Sequence, residues 1–244
     1  MYALIVTETR LFLREPLAVF FGIAFPSVLL LVLGTAIPGF TAPTDDLGGR
    51  RPIDLYLPIV MALAIATVTM VTLLTGLSTY RERGVLRRLA VTPVRPSALL
   101  GAQLAVNTLA LLVGVLAAST VAAVRFDVAA PGNPVGLAAA FVLGTAAMGA
   151  VALVIAALAP TARAASGLGS LVYFPMMFFA GVWTPGPAMP ALAQRIADFT
   201  PLGAASQAMQ SAYHGTWPSP LHVVVMLGFV AVLGTLAVRR FRWS

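Results

Sequence analysis

Six stretches of this chain, 17–37, 56–79, 97–124, 135–159, 164–183 and 221–238, run for 18 to 28 residues without a single charged side chain. A helix of roughly 20 apolar residues crosses a hydrocarbon core about 30 Å thick, so each stretch is long enough, or nearly so, to span a bilayer. Helices buried in a large soluble core would show a polar counter-face on at least some members. None does, and with 59% hydrophobic and 9% charged residues the chain has too little polar surface to cover such a core. The expected fold is an all-α integral membrane protein, one transmembrane domain over residues 1–244 with six spans.

Charge sets the orientation. With both termini in the cytoplasm, the inner segments hold eleven arginines against Glu8, Glu15 and Glu82. The outer segments hold Arg50, Arg51, Arg125 and Arg195 against five aspartates. The positive-inside rule selects this arrangement over its inverse. Of the eight Trp and Tyr residues, only Tyr173 falls inside a run; the others lie at or near run ends, where a ring can be buried and its polar atom stay wet. The net charge of +7 therefore lies beside membrane ends, where anionic lipid accounts for it and nucleic acid is not needed. The absence of cysteine excludes disulfides and thiol-based redox or zinc chemistry. The first run is too long for a signal-peptide core and reads as a retained helix.

Residues 1–15 form an expected interfacial helix, with Thr7, Arg10 and Arg14 on one stripe and Leu4, Ile5, Leu11 and Phe12 on another. Glu8 falls on the apolar side and weakens the pattern. The segment Pro38 to Pro52 reads as an exposed loop, and the fourth run is dominated by Ala and Gly, which suit close helix packing. In the second run Thr72, Gly76 and Thr79 share a face; in the fifth, Tyr173, Phe174, Met176, Met177, Phe178 and Phe179 cluster. Thr72, Thr79, Phe174, Met177 and Phe178 are the candidates to line a substrate path. The threonines can equally bond back to their own helix, and the aromatic residues can equally face lipid.

No run contains a charged residue, and His222 sits only at the edge of the last, which argues against coupling to a proton or sodium gradient. Nor does the chain carry a Walker A loop, which requires a lysine; there is none. If ATP drives this protein, a second polypeptide hydrolyses it.

The basic segment 80–95 is pinned between two uncharged runs. Within it Glu82, Arg83, Gly84, Val85, Leu86, Arg87, Arg88, Leu89, Thr92, Pro93 and Val94 resemble the cytoplasmic signature of type-2 ABC transporter permeases. Phe174, Pro175, Gly181, Pro185 and Pro190, with Thr200, Pro201 and Leu202, resemble that family's landmarks before its last span. The similarity covers essentially the whole chain. Val85 and Arg87 replace the Thr and Glu often found in the family, so a specific acidic contact to an ATPase does not carry over; Thr200 replaces an Asn, which bears on the outer gate.

The resemblance implies a short coupling helix from Gly84 to Leu89. Glu82, Arg83, Gly84, Leu86, Arg87, Arg88, Leu89, Thr92 and Pro93 would meet a separate nucleotide-binding subunit, which carries the ATP and Mg2+. It further implies a homodimer or heterodimer of permeases, and export across a bacterial inner (plasma) membrane. Helices in 185–215, re-entrant or interfacial, would cap the exit; proline chemistry has Pro190 starting one and Pro201 breaking it, and the composition equally fits a simple surface loop. Uncharged spans favour a hydrophobic or amphipathic cargo, as in the daunorubicin/doxorubicin-resistance drug-efflux branch. A polysaccharide or glycolipid exporter of the same family stays open as the alternative. So do a lipid-modifying enzyme, for which His214, His222 and Asp198 are the available constellation, and a scaffold that binds a partner through 80–95.

Overall fold

The computed structural model describes residues 2–47, 49–82, 84, 96–184 and 189–240. Apart from an isolated bridge between Thr44 and Arg50, all regular structure among them is helical. Helix α1 is Tyr2–Leu13, α2 Pro16–Ala36, α3 Pro52–Glu82, α4 Pro96–Phe126 and α5 Pro134–Leu158. Helix α6 is Ala162–Phe179, α7 Ala191–Asp198, α8 Pro201–Tyr213 and α9 Pro220–Arg240. Proline opens α2, α3, α5 and α8 in the first turn, where its missing N–H has no helical partner to lose.

Five helices, α2, α3, α4, α5 and α9, are long and apolar enough to cross a membrane. The run at 164–183 forms α6, which falls short of that standard. It has 18 residues, about 27 Å of helix, diluted by Arg163, Ser166, Gly167, Gly169 and Ser170.

Helix α3 is the axis of the molecule. In its most apolar stretch 89% of the residues are buried, against 50% or fewer in the other four long helices. On one side α1 and α2 pack on α4; on the other, α8 and α9 pack on α5. Two glycine contacts explain how closely these helices approach. A Cβ on Gly114 of α4 would collide with the Gly22 carbonyl oxygen of α2 and lie 3.0 Å from Ile23 Cα, so backbone meets backbone there. A Cβ on Gly144 of α5 would come within 2.6 Å of the Ala205 methyl of α8. Small residues on facing helices allow this approach where lipid supplies no hydrophobic drive.

Helix α8 corrects two expectations. Pro201 does not break a helix; the break lies at Phe199 and Thr200, and Pro201 opens α8, whose N-terminus is capped by the Thr200 hydroxyl accepting from Gly203 N–H at 3.1 Å. Nor is this a surface loop. Leu202, Ala204, Ala205, Ala208, Met209 and Ala212 are all fully buried. Both α2 and α3 also depart from α geometry, through a π-helical turn at Phe20–Ala24 in the first and Val68–Leu73 in the second.

Candidate functional site

Helix α3 ends at the Arg-rich segment, and its last turn is tied to the hairpin between α5 and α6. The Arg81 guanidinium donates to the Ala159 carbonyl at 2.8 Å and reaches those of Ala156 and Ala157 at 3.4 Å. These are the last carbonyls of α5 and the link that follows, which have no partner within the helix and carry the negative end of its dipole. The neighbouring Glu82 carboxylate accepts from the Ala162 N–H at the start of α6. A cation thus holds a C-terminus and an anion an N-terminus, each matching the dipole it meets. Gly84 then takes φ +66°, a left-handed conformation that suits glycine and stops the helix, and its N–H donates to the Arg81 carbonyl at 3.1 Å.

Of the residues expected to meet an ATPase, Glu82 and Gly84 are thereby placed. Arg83, Leu86, Arg87, Arg88, Leu89, Thr92 and Pro93 lie outside the described residues. Arg81, which sequence reasoning left out of the site, is the anchor; its position at the boundary of an uncharged run was the available signal.

A second junction lies nearby. Glu8 of α1 is 8% exposed, accepting from Gln103 Nε2 of α4 at 2.9 Å and from the Tyr80 hydroxyl of α3 at 3.1 Å. The residue that spoiled the amphipathic pattern is therefore the one that joins three helices, while Thr7, Arg10 and Arg14 are all exposed. Burial pushes the Glu8 carboxyl above its ordinary range, and the hydrogen bonds from Tyr80 and Gln103 pull it partly back. A carboxyl with a raised pKa favours the docked state when protonated. Docking of α1 is thus fully supported below the ordinary carboxylate pKa and weakens as pH rises through the raised value. Tryptic cleavage after Arg10 and Arg14 is expected to accelerate as pH rises above the ordinary carboxylate range, beyond the enzyme's own pH dependence; in Glu8→Gln that excess disappears. An equal excess in both proteins sinks the idea.

The expected substrate-path residues do not converge. Thr72 lines a cavity of about 60 Å³ with Glu8, Gly76 and Gln103. Met177 lies elsewhere, in an apolar groove of about 350 Å³ between α2, α3 and α6, with Leu29, Ile59 and Trp183. Thr79 and Phe178 are half-buried, Phe178 with its ring edge against Phe179, and Phe174 is exposed. Tyr173, the one Trp or Tyr inside a run, shares a hydrogen bond of 2.9 Å with the Thr67 hydroxyl. The threonine back-bonding expected of α3 is present at Thr69, 2.7 Å from the Ile65 carbonyl.

The far end is closed by a third network. Arg51 pairs in bidentate fashion with Asp54, at 2.7 and 2.9 Å, and donates to the Phe126 and Asp127 carbonyls at the end of α4. Tyr213 donates to the Ala129 carbonyl, fastening α8 to the same link. His222 Nε2 stands 3.0 Å from Asp198 Oδ1, whereas His214 faces Arg50, so the three residues considered for lipid chemistry form no single hydrogen-bonded group.

The ABC-2 type transporter family model matches residues 1–214, which takes in every helix from α1 to α8. The chain belongs to the ABC-2 type transporter family. Among curated proteins it has no significant match. As an ABC-2 membrane domain it is a multi-pass permease of an ABC exporter. Members of this family are normally non-catalytic, with ATP hydrolysis on an associated ABC ATPase.

Proposed function

We propose that this ABC-2 permease exports a hydrophobic or amphipathic compound, of the kind handled by the daunorubicin-resistance branch, from a bacterial cell across its plasma membrane. In this reading α6 is the sixth span, both termini and the Arg-rich segment are cytoplasmic, and two permeases form the pore. The nucleotide-binding partner holds ATP and Mg2+. The observation that carries it is the anchoring of α3 by Arg81 and Glu82. A push delivered to residues 83–95 by closing ATPase subunits is passed through charge-matched contacts to the α5–α6 hairpin as well as along α3. Helices α3 and α4, each 31 residues and about 46 Å long, exceed the bilayer core and act as levers on either side of that segment. The apolar groove between α2, α3 and α6 gives an apolar cargo a place to lodge from the lipid side.

The test is co-purification with the cognate ATPase and vanadate-sensitive ATP hydrolysis, comparing the native permease with Arg87→Glu plus Arg88→Glu. Two reversed charges at a docking surface are expected to lower ATPase association about tenfold. Association and hydrolysis unchanged in the double variant overturn the coupling role of this segment.

A further inference from the structure

At the end of the molecule remote from the Arg-rich segment, a cavity of about 420 Å³ lies between α8, the end of α6 and the loop that carries Arg50. Its character departs from that of the chain around it. Helix α8 and its C-cap His214 present Gln207, Gln210, Ser211 and the His214 ring to this cavity, spaced i, i+3, i+4 and i+7 and so on one face, while the helix's alanines are buried elsewhere. Gln210 Nε2 is held by the Ser206 hydroxyl at 3.1 Å, which orients that carboxamide. Phe179 adds an apolar wall.

Arg50 supplies the charge. Its neighbour Arg51 is fixed by Asp54 and two carbonyls, which sets the backbone from which Arg50 projects. The Thr44 N–H donates to the Arg50 carbonyl at 3.2 Å and adds a second restraint. Among the described residues, however, the Arg50 guanidinium meets no carboxylate; its contact is His214 Nε2 at 3.5 Å. Burial, and then the Arg50 charge itself, lower the His214 pKa, so the ring is an uncharged partner for Arg50. The cavity therefore offers an exposed guanidinium with unused donors, carried on a restrained backbone, beside carboxamides and a hydroxyl.

The apolar groove lies at the same helix ends, with no residue lining both. Leu55, Phe179, Ala180 and Gly181 line the cavity, while Tyr56, Met177, Val182 and Trp183 line the groove, so the two flank the same helix ends. We propose that the cavity binds the oxyanion headgroup, phosphate or carboxylate, of an amphipathic compound whose apolar part occupies the groove. This rests on the exporter reading for its purpose and deepens it by naming the cargo's chemical class: an acidic amphiphile. Arg50 makes the charge-assisted contact, and Gln207 and Ser211 supply neutral hydrogen bonds to the remaining oxygens.

Octyl phosphate, octanoate, octylammonium and octanol, titrated into the purified chain in maltoside micelles and followed by tryptophan fluorescence, test this directly. Octyl phosphate or octanoate is expected to bind about tenfold or more tightly than octylammonium and octanol, as a charge-assisted hydrogen bond implies. Comparing the two anions tells which oxyanion is preferred. Arg50→Gln removes that preference and leaves octanol unchanged, and Gln207→Leu lowers anion affinity about threefold with the charge intact. Equal binding of all four probes, or an anion preference that survives Arg50→Gln, overturns the proposal. The assay contains neither ATPase nor nucleotide, so its failure leaves the exporter reading standing. Failure of ATPase co-purification would remove that reading and leave the binding site.

Discussion

Replacement of Arg81 by methionine is expected to free the α5–α6 hairpin from the end of α3. Methionine keeps an apolar stem of similar length but cannot donate to the Ala159, Ala156 and Ala157 carbonyls. A charged donor on half-buried carbonyls at a helix C-terminus contributes about 2–3 kcal/mol. Local opening of the hairpin should therefore rise by roughly 30- to 150-fold, which hydrogen exchange at the Ala162 amide reads directly. In a complex with its ATPase, the difference in exchange along α6 between nucleotide-free and vanadate-trapped states should also vanish, because the push no longer reaches α6. Arg81→Lys, which restores a point charge without the planar fork, should recover part of both effects. Glu82→Gln weakens the same hairpin through the start of α6, so combining it with Arg81→Met should cost less than the sum of the two. Native exchange in Arg81→Met would show that the hairpin is held by packing alone.

Gly114→Val is expected to do more damage than any other single change in the α2–α4 contact. Its new Cβ meets the Gly22 carbonyl oxygen and the Ile23 backbone, and backbone, unlike the end of a flexible side chain, cannot step aside. The helices must separate, at a cost of about 3 kcal/mol and with loss of the small cluster formed by Phe12, Ala18, Val106 and Ala110. Folded yield and thermal unfolding in detergent should both fall sharply. Gly228→Val in α9 serves as the control, since a Cβ there has nothing within 4 Å, and its effect should stay within about 0.5 kcal/mol. Equal losses in the two variants would point to helix propensity rather than close approach.

The helical class was legible because exclusion of charge over 18 residues or more is a local property, visible without knowing any partner. Helix α6 was read as an equal of the other runs, although its serines and glycines leave it less apolar, because absence of charge is a coarser measure than hydropathy. Burial of α8 was not legible. Its Ala, Gly, Ser and Gln give neither a long apolar run nor a charged face, and its fit against Gly144 depends on a residue some sixty positions away. Glu8 is the most instructive case. A helical wheel placed it correctly on the inward side, but only the fold shows Tyr80 and Gln103 waiting there to meet it. The candidate site divided the same way: Glu82 and Gly84 carried a recognisable pattern, while Arg81 acts through carbonyls, which leave no mark in a sequence.

The π turns of α2 and α3 bear on how such a chain tolerates length change. In an α-helix each residue added or removed swings everything beyond it by about 100° and turns a packed face toward lipid. A π turn accommodates one extra residue within a local bulge, and the flanking α segments keep their facing. At Phe20–Ala24 and Val68–Leu73 the chain therefore holds a spare residue beside packed neighbours, one against Gly114 and one within the buried axis. Those are the two places where an ancestor one residue shorter would have presented the same faces to the same neighbours.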